Sequence, residues 1–142
     1  MKKNNKGFSL LELLIVVAII LIIATIAIPS LLRSRQAANE SAAVANLRTI
    51  NTAEVTYLSS SGGSYGEIPD LVTAGLLDGT FNSVKAGYNF SVTAMGSDYT
   101  ATATPASSNT GRYGYYATPD AVVRYSTLAT LAPAGQAGNA VQ

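Results

Sequence analysis

From Phe8 to Ile28 the chain is almost wholly Leu, Ile, Val and Ala, and the only charge inside that run is Glu12. As a helix, residues 10 to 28 would span roughly 28 Å, close to the ~30 Å hydrocarbon core of a bilayer. An ionisable group at a membrane centre costs about 2.5 to 3.5 kcal/mol on insertion scales. Glu12 sits near one end of the run, where that cost is smaller, yet a leucine there would cost nothing. An acid kept in a spanning segment points to function and needs a partner. Lys2, Lys3 and Lys6 lie before the run and no lysine lies just after it, which implies a cytoplasmic N-terminus. Arg33 and Arg35 weaken that contrast slightly.

The stretch Lys6-Gly7-Phe8-Ser9-Leu10-Leu11-Glu12 resembles the processing motif of type IV pilins and of their relatives, the pseudopilins of type II secretion. In that family a membrane-embedded peptidase cuts after the glycine and methylates the new N-terminal phenylalanine. The acid four residues further on helps subunits enter a helical filament. The resemblance makes residues 1–7 a basic leader, charged through Lys2, Lys3 and Lys6 and cleaved after Gly7. It makes Phe8 the methylated terminus, Glu12 the assembly acid, and the free amine of Phe8 the partner of Glu12. It continues through Pro29 and the Ala-rich segment to about Leu58; beyond that it is architectural. The partners it implies are other copies of the chain in a helical filament, the prepilin peptidase, and an inner-membrane assembly platform with a cytoplasmic ATPase motor. The implied location is a single pass through the inner membrane with a periplasmic C-terminal domain, then an extracellular pilus.

Two plainer readings compete. A secretory signal peptide cut at small residues is readable at Thr25-Ile26-Ala27. Against it, the apolar run is longer than an ordinary signal core, contains Glu12, and is followed by Pro29 and a helical pattern. The other is a single-span anchor without processing.

Composition narrows the function classes. The chain has no cysteine and no histidine, so Ser/His and Cys/His nucleophilic mechanisms are excluded. Many pilins close their C-terminal loop with a disulfide, and this chain departs from that. The eight acids are scattered singly (Glu12, Glu40, Glu54, Glu67, Asp70, Asp78, Asp98, Asp120), so no catalytic role and no cofactor is expected, although folding could still bring two carboxylates together. Removing the three leader lysines leaves six basic against eight acidic side chains, a net −2. That is no nucleic-acid footprint.

Residues 8–29 read as the transmembrane and assembly helix, and 30–60 as an amphipathic helix continuing into the head. Pro29 lacks an N–H, so it either kinks the helix or ends one and starts another. Val44, Leu47, Ile50, Ala53, Val55 and Leu58 recur at mostly three- and four-residue spacings and predict one apolar stripe. Ala37, Ala38, Ala42, Ala43 and Ala45 allow close backbone approach. Arg33, Arg35, Glu40, Arg48 and Glu54 are expected to lie off that stripe. Ser59 to Gly63 should end the helix.

Residues 61–126 read as a globular α/β head. Residues 68–77 suggest a short helical turn. From Gly87 the period changes to two, with Tyr88, Phe90, Val92 and Ala94, then Tyr99, Ala101 and Ala103, then Tyr113, Tyr115 and Ala117, then 122–125. Turn signals at Gly96-Ser97-Asp98 and Thr118-Pro119-Asp120 make this an antiparallel meander with one face on the helix stripe. The expected fold class is therefore α+β. A long N-terminal helix, its inner half transmembrane, packs against a small antiparallel sheet, as the pilin resemblance also implies. The clustered tyrosines read as sheet residues rather than an electron-transfer or sugar-binding array. Asn39-Glu40-Ser41 and Asn89-Phe90-Ser91 match the N-glycosylation pattern, a short pattern common by chance. Residues 127–142, without charge or clear period, read as a flexible C-terminal tail or a loop that orders against a neighbour.

The reading that results is a structural subunit of a type IV pilus-like filament supporting surface functions such as adhesion or twitching motility. Its first rival is a type II secretion pseudopilin. Major pseudopilins tend to hold calcium in a C-terminal loop, and Asp120 is the only acid after Asp98 here. The rival of another class is a single-span anchored binding protein that never polymerises.

Overall fold

A computed structural model describes residues 7–126 and 138–141, and the chain falls into two units that meet between Ser34 and Arg35. The leader lysines and most of the expected tail lie outside the described residues. Helix α1 is assigned from Leu10 to Ser60 without a break, Pro29 included. Within the first unit Pro29 therefore does not end the helix. Its ring removes the donor for the Thr25 carbonyl. The Thr25 hydroxyl bonds the Ile22 carbonyl at 2.7 Å and the Ser34 hydroxyl that of Ser30 at 3.1 Å, so small polar side chains turn back onto the backbone on both sides of the proline.

In the second unit α1 stops at Ser60, where Gly62 and Gly63 take positive φ. Helix α2, Ile68–Thr73, and a 3-10 turn, Gly79–Asn82, follow. Among the described residues five antiparallel strands then run as a meander in chain order: β1 Tyr88–Met95, β2 Asp98–Pro105, β3 Gly114–Ala117, β4 Arg124–Ser126 and β5 Asn139–Ala140. Met95 pairs with Asp98, so a two-residue turn joins β1 to β2, and Gly96 (φ 64°) supplies the positive φ that such a turn requires. The fold is the expected α+β arrangement. The fifth strand was not expected: Asn139 and Ala140 pair with β4, and the Val141 N–H donates to the Val123 carbonyl at 2.8 Å. That end of the expected tail is tied to the sheet.

The core lies between one face of the sheet and one stripe of α1. Tyr88, Phe90 and Val92 of β1 and Tyr99, Ala101 and Ala103 of β2 are buried, as their alternation predicts. Strand β3 is buried at all four positions, so Tyr116 is covered although it points away from the face that Tyr115 joins.

The stripe differs from its prediction. Gln36, Glu40, Ala43, Val44, Leu47, Ile50, Asn51, Ala53 and Glu54 are buried, whereas Val55 is 56% exposed and Leu58 only half-buried. Positions 36, 40, 43, 47, 50 and 54 fit the 3.6-residue period without drift, and three of them are polar. Glu40 and Glu54, expected off the stripe, are on it. An apolar count could not detect a stripe whose ends are carboxylates and an amide.

The loop between β2 and β3 packs tightly over Tyr88, whose hydroxyl donates to the Tyr113 carbonyl at 3.0 Å. A Cβ on Gly111 would overlap the Tyr88 hydroxyl and stand 2.5 Å from its ring carbon Cζ. Tyr88 is fully buried and has nowhere to move. Gly111→Ala should therefore destabilise the head by about 2 kcal/mol, within the range seen for overpacked cores. Thermal unfolding of the detergent-solubilised subunit checks this; an unchanged midpoint would contradict it.

Candidate processing and assembly site

Gly7, Phe8 and Ser9 precede α1 and are exposed, Phe8 at 83%. Ser9 caps the helix: its carbonyl accepts the Leu13 N–H at 3.2 Å. The Ser9 N–H donates to Glu12 Oε2 at 3.4 Å, the half of a capping box in which an acid at the third helical position reaches back to the cap. At that length the bond is weak and leaves most of the carboxylate free. Glu12 thus lies in the first turn, where the helix dipole favours a negative charge.

Around it, the large apolar side chains from Leu10 to Leu32 have no protein cover, with exposures of 39% to 82%. The helix is long and apolar enough to cross a membrane. An apolar cylinder exposed on all sides requires lipid or other apolar helices. Gly7, Phe8 and Glu12 are brought to one helix end, while Pro29 lies five turns further along and touches none of them.

The head holds two buried carboxylates that sequence reasoning placed in solvent. Glu40 Oε1 accepts the Arg112 backbone N–H at 2.9 Å and its Nε at 3.1 Å, and Oε2 accepts Nη2 at 2.9 Å. One turn back, Gln36 Nε2 donates to the Ser108 carbonyl at 2.9 Å, and Asn39 Nδ2 to that of Thr110 at 2.8 Å. Three side chains one turn apart on α1 thus hold the whole β2–β3 loop. Asn39 is engaged here, so its amide is not free for a sugar. Burial pushes the Glu40 pKa up, but the combined Arg112 contacts outweigh it and leave the carboxyl below its usual value.

Glu54 is fully buried, and its Oε2 accepts the Gly66 N–H at 3.1 Å, while Oε1 has no partner among the described residues. Burial raises its pKa, against the Gly66 bond and with a further push from Asp70. Folding does bring these two carboxylates near each other, but Asp70 is engaged with the Glu67 N–H at 3.0 Å. Beside Glu54, Asn51 Oδ1 accepts the Tyr99 hydroxyl at 2.8 Å. Asp120, the late acid considered for calcium, is bound to Arg124 at 2.6 Å and accepts from the Thr118 hydroxyl and Val122 N–H, which hold it at a pKa of about 2. Among the described residues no three acids gather.

The tyrosines belong to the core. Tyr65 and Tyr99 meet edge-on at 4.7 Å, and Tyr113, Tyr115 and Tyr125 lie 5.4 to 6.4 Å apart in tilted contacts. Burial, with the nearby Glu40 charge, pushes the Tyr115 phenol up to about 12.

Comparison with known proteins agrees with this geometry. The family described as Prokaryotic N-terminal methylation motif matches residues 2–28. The chain is 36% identical over 91 residues to the Type IV wide pilus major component PilA4 of Thermus thermophilus, covering 61% of this chain and 70% of that protein. It is 46% identical over 56 residues to the Type IV major pilin protein PilA of Myxococcus xanthus, covering 39% of this chain and 26% of that one. No solved structure matches. The chain belongs to the type IV pilin family. It is a structural subunit of a pilus rather than an enzyme, and forms a homo-oligomeric filament from a membrane-anchored precursor.

The two buried glutamates titrate in opposite senses. Glu40, with a lowered folded pKa, contributes stability above its unfolded value near 4.5 that is lost as pH falls through the folded value. Glu54, with a raised one, favours the folded state at acid pH and loses that contribution as pH rises from 4.5 through its folded value. Glu54→Gln keeps the shape without the charge. It should raise the melting temperature by several degrees at pH 7 and leave it nearly unchanged at pH 4. Destabilisation by Glu54→Gln at pH 7 that fades at pH 4 would contradict this and show that Glu54 serves as a charged acceptor.

Proposed function

We propose that the precursor is cut after Gly7 by a prepilin peptidase, methylated at Phe8, and extracted from the inner membrane into the filament by a platform driven by a cytoplasmic ATPase. Before assembly the head stands in the periplasm; afterwards the subunit is part of an extracellular fibre serving adhesion or twitching motility. The observation that carries this reading is the uncovered helix from Leu10 to Leu32 with a single acid in its first turn. Lipid covers that surface in the precursor, and identical helices cover it in the fibre.

Glu12 decides the register of that exchange. Among apolar helices an unpaired carboxylate costs several kcal/mol, and the weak bond from the Ser9 N–H at 3.4 Å does not offset it. Cleavage after Gly7 creates an α-amine, ordinarily charged at neutral pH. The Phe8 amine of an adjacent subunit is then the group that neutralises Glu12, at one axial position only. Pro29 eases the repacking by leaving one helical bond unmade. Lys2, Lys3 and Lys6 hold the leader on the cytoplasmic side until the cut.

Glu12→Ala should leave processing intact and reduce sheared fibre about tenfold or more, since one partner of a desolvated pair is removed. Quantifying fibre against total processed subunit checks this. Abundant, normally shaped fibre from the variant would remove the pairing role.

A further inference from the structure

In the head, three ion pairs tie Lys85 to Asp78, Arg112 to Glu40 and Arg124 to Asp120. Among the described residues this leaves Arg35 and Arg48 of α1 without an acid, and Glu67, Asp70 and Asp98 exposed without a cation. The remaining exposed charges of the head are thus segregated, Arg35 and Arg48 on α1, Glu67 and Asp70 at the start of α2, and Asp98 on the β1–β2 hairpin.

Arg48 lies midway along a groove on the exposed flank of α1, bounded across from the helix by Ala121 at one end and by Tyr115 and Val141 at the other. Toward the helix C-terminus the groove is a recess of 380 Å³ lined by Arg48, Asn51, Thr52, Val55, Thr56 and Ala121. Toward the N-terminus it continues past Ser41 and Ala45. The Thr52 and Thr56 hydroxyls bond carbonyls of the helix itself, at 3.1 and 2.9 Å, so methyl groups line the recess. Val55 adds exposed apolar surface two turns from Arg48. The hairpin tip carries the complementary set. Met95 is 70% exposed and pairs directly with Asp98, so an apolar side chain and an acid stand together on a two-residue turn.

We propose that the β1–β2 hairpin tip of one copy docks in the α1 groove of the next, with Asp98 against Arg48 and Met95 against Val55. This rests on the filament reading above and adds to it a contact between heads. Hairpin and groove are different surfaces, so the contact is head-to-tail and propagates, as a helical polymer requires. Methionine adapts to a shallow apolar recess, and Arg and Met are favoured in interface cores.

The chain has no cysteine, which permits a clean test. A full-length chain carrying both Thr52→Cys and Ser97→Cys, two exposed positions, is assembled in cells and its sheared fibres are oxidised. The expected result is a ladder of disulfide-linked dimers, trimers and longer species, absent from either single variant. In parallel, Arg48→Asp and Asp98→Arg should each lower fibre yield about fivefold or more, and the double exchange should restore most of it. Fibres without a ladder, together with single charge variants that assemble normally, overturn this contact and leave the filament reading standing. Absence of fibre from the unaltered chain overturns both.

Discussion

Apolar surface that none of the described residues covers is the constraint behind every other feature of this protein. In the second unit the problem is solved internally: the α1 stripe lies under a five-stranded meander, and Leu47, Ile50, Tyr88 and Tyr99 vanish from solvent. In the first unit no residue between Leu10 and Leu32 is buried by the protein. Burying a single leucine is worth about 1.5 to 3 kcal/mol, so a helix of them cannot remain in water. Lipid and a bundle of identical helices are the two environments that suit it, and a pilin passes from one to the other. In the proposed reading, Glu12 is what makes the two environments differ, because a neighbour's Phe8 amine would bring it a charged partner.

The head is fixed to its helix by polar contacts as much as by apolar ones. Gln36, Asn39 and Glu40 reach the Ser108 and Thr110 carbonyls and Arg112, setting the β2–β3 loop in one register along α1. A carboxylate with three donors is stable in a buried position where an unpaired one is not. Among the described residues Glu54 lacks that support at one oxygen, and burial, with a push from Asp70, raises its pKa. Two glutamates on one stripe therefore have opposite electrostatics, set by the loops that cover them.

The long helix and the meander were legible because each rests on local periodicity, and Gly96-Ser97-Asp98 marked the turn between β1 and β2, though not its two-residue length. Tyr88, Phe90 and Val92 alternate along β1 as their residue types demand. What could not be read depends on partners distant in sequence. Glu40 looks like an exposed helix charge until Arg112, 72 residues away, is placed beside it. Glu54 looks the same until the turn at Gly66 closes over it. The misplacement of Val55 follows from these two, since replacing buried polar positions with nearby apolar ones rotates the inferred stripe. Strand β5 was missed because two residues without alternation carry no signal, and only pairing with β4 defines them. At the N-terminus, by contrast, the motif is contiguous, and Gly7, Phe8 and Glu12 lie at one helix end.

The most direct test of the account is the intact mass and N-terminal sequence of the native protein, measured separately on sheared surface fibres and on membranes. The account predicts fibres whose subunits begin at N-methylated Phe8. A start after Ala27, or a Phe8 start confined to membranes, would contradict it.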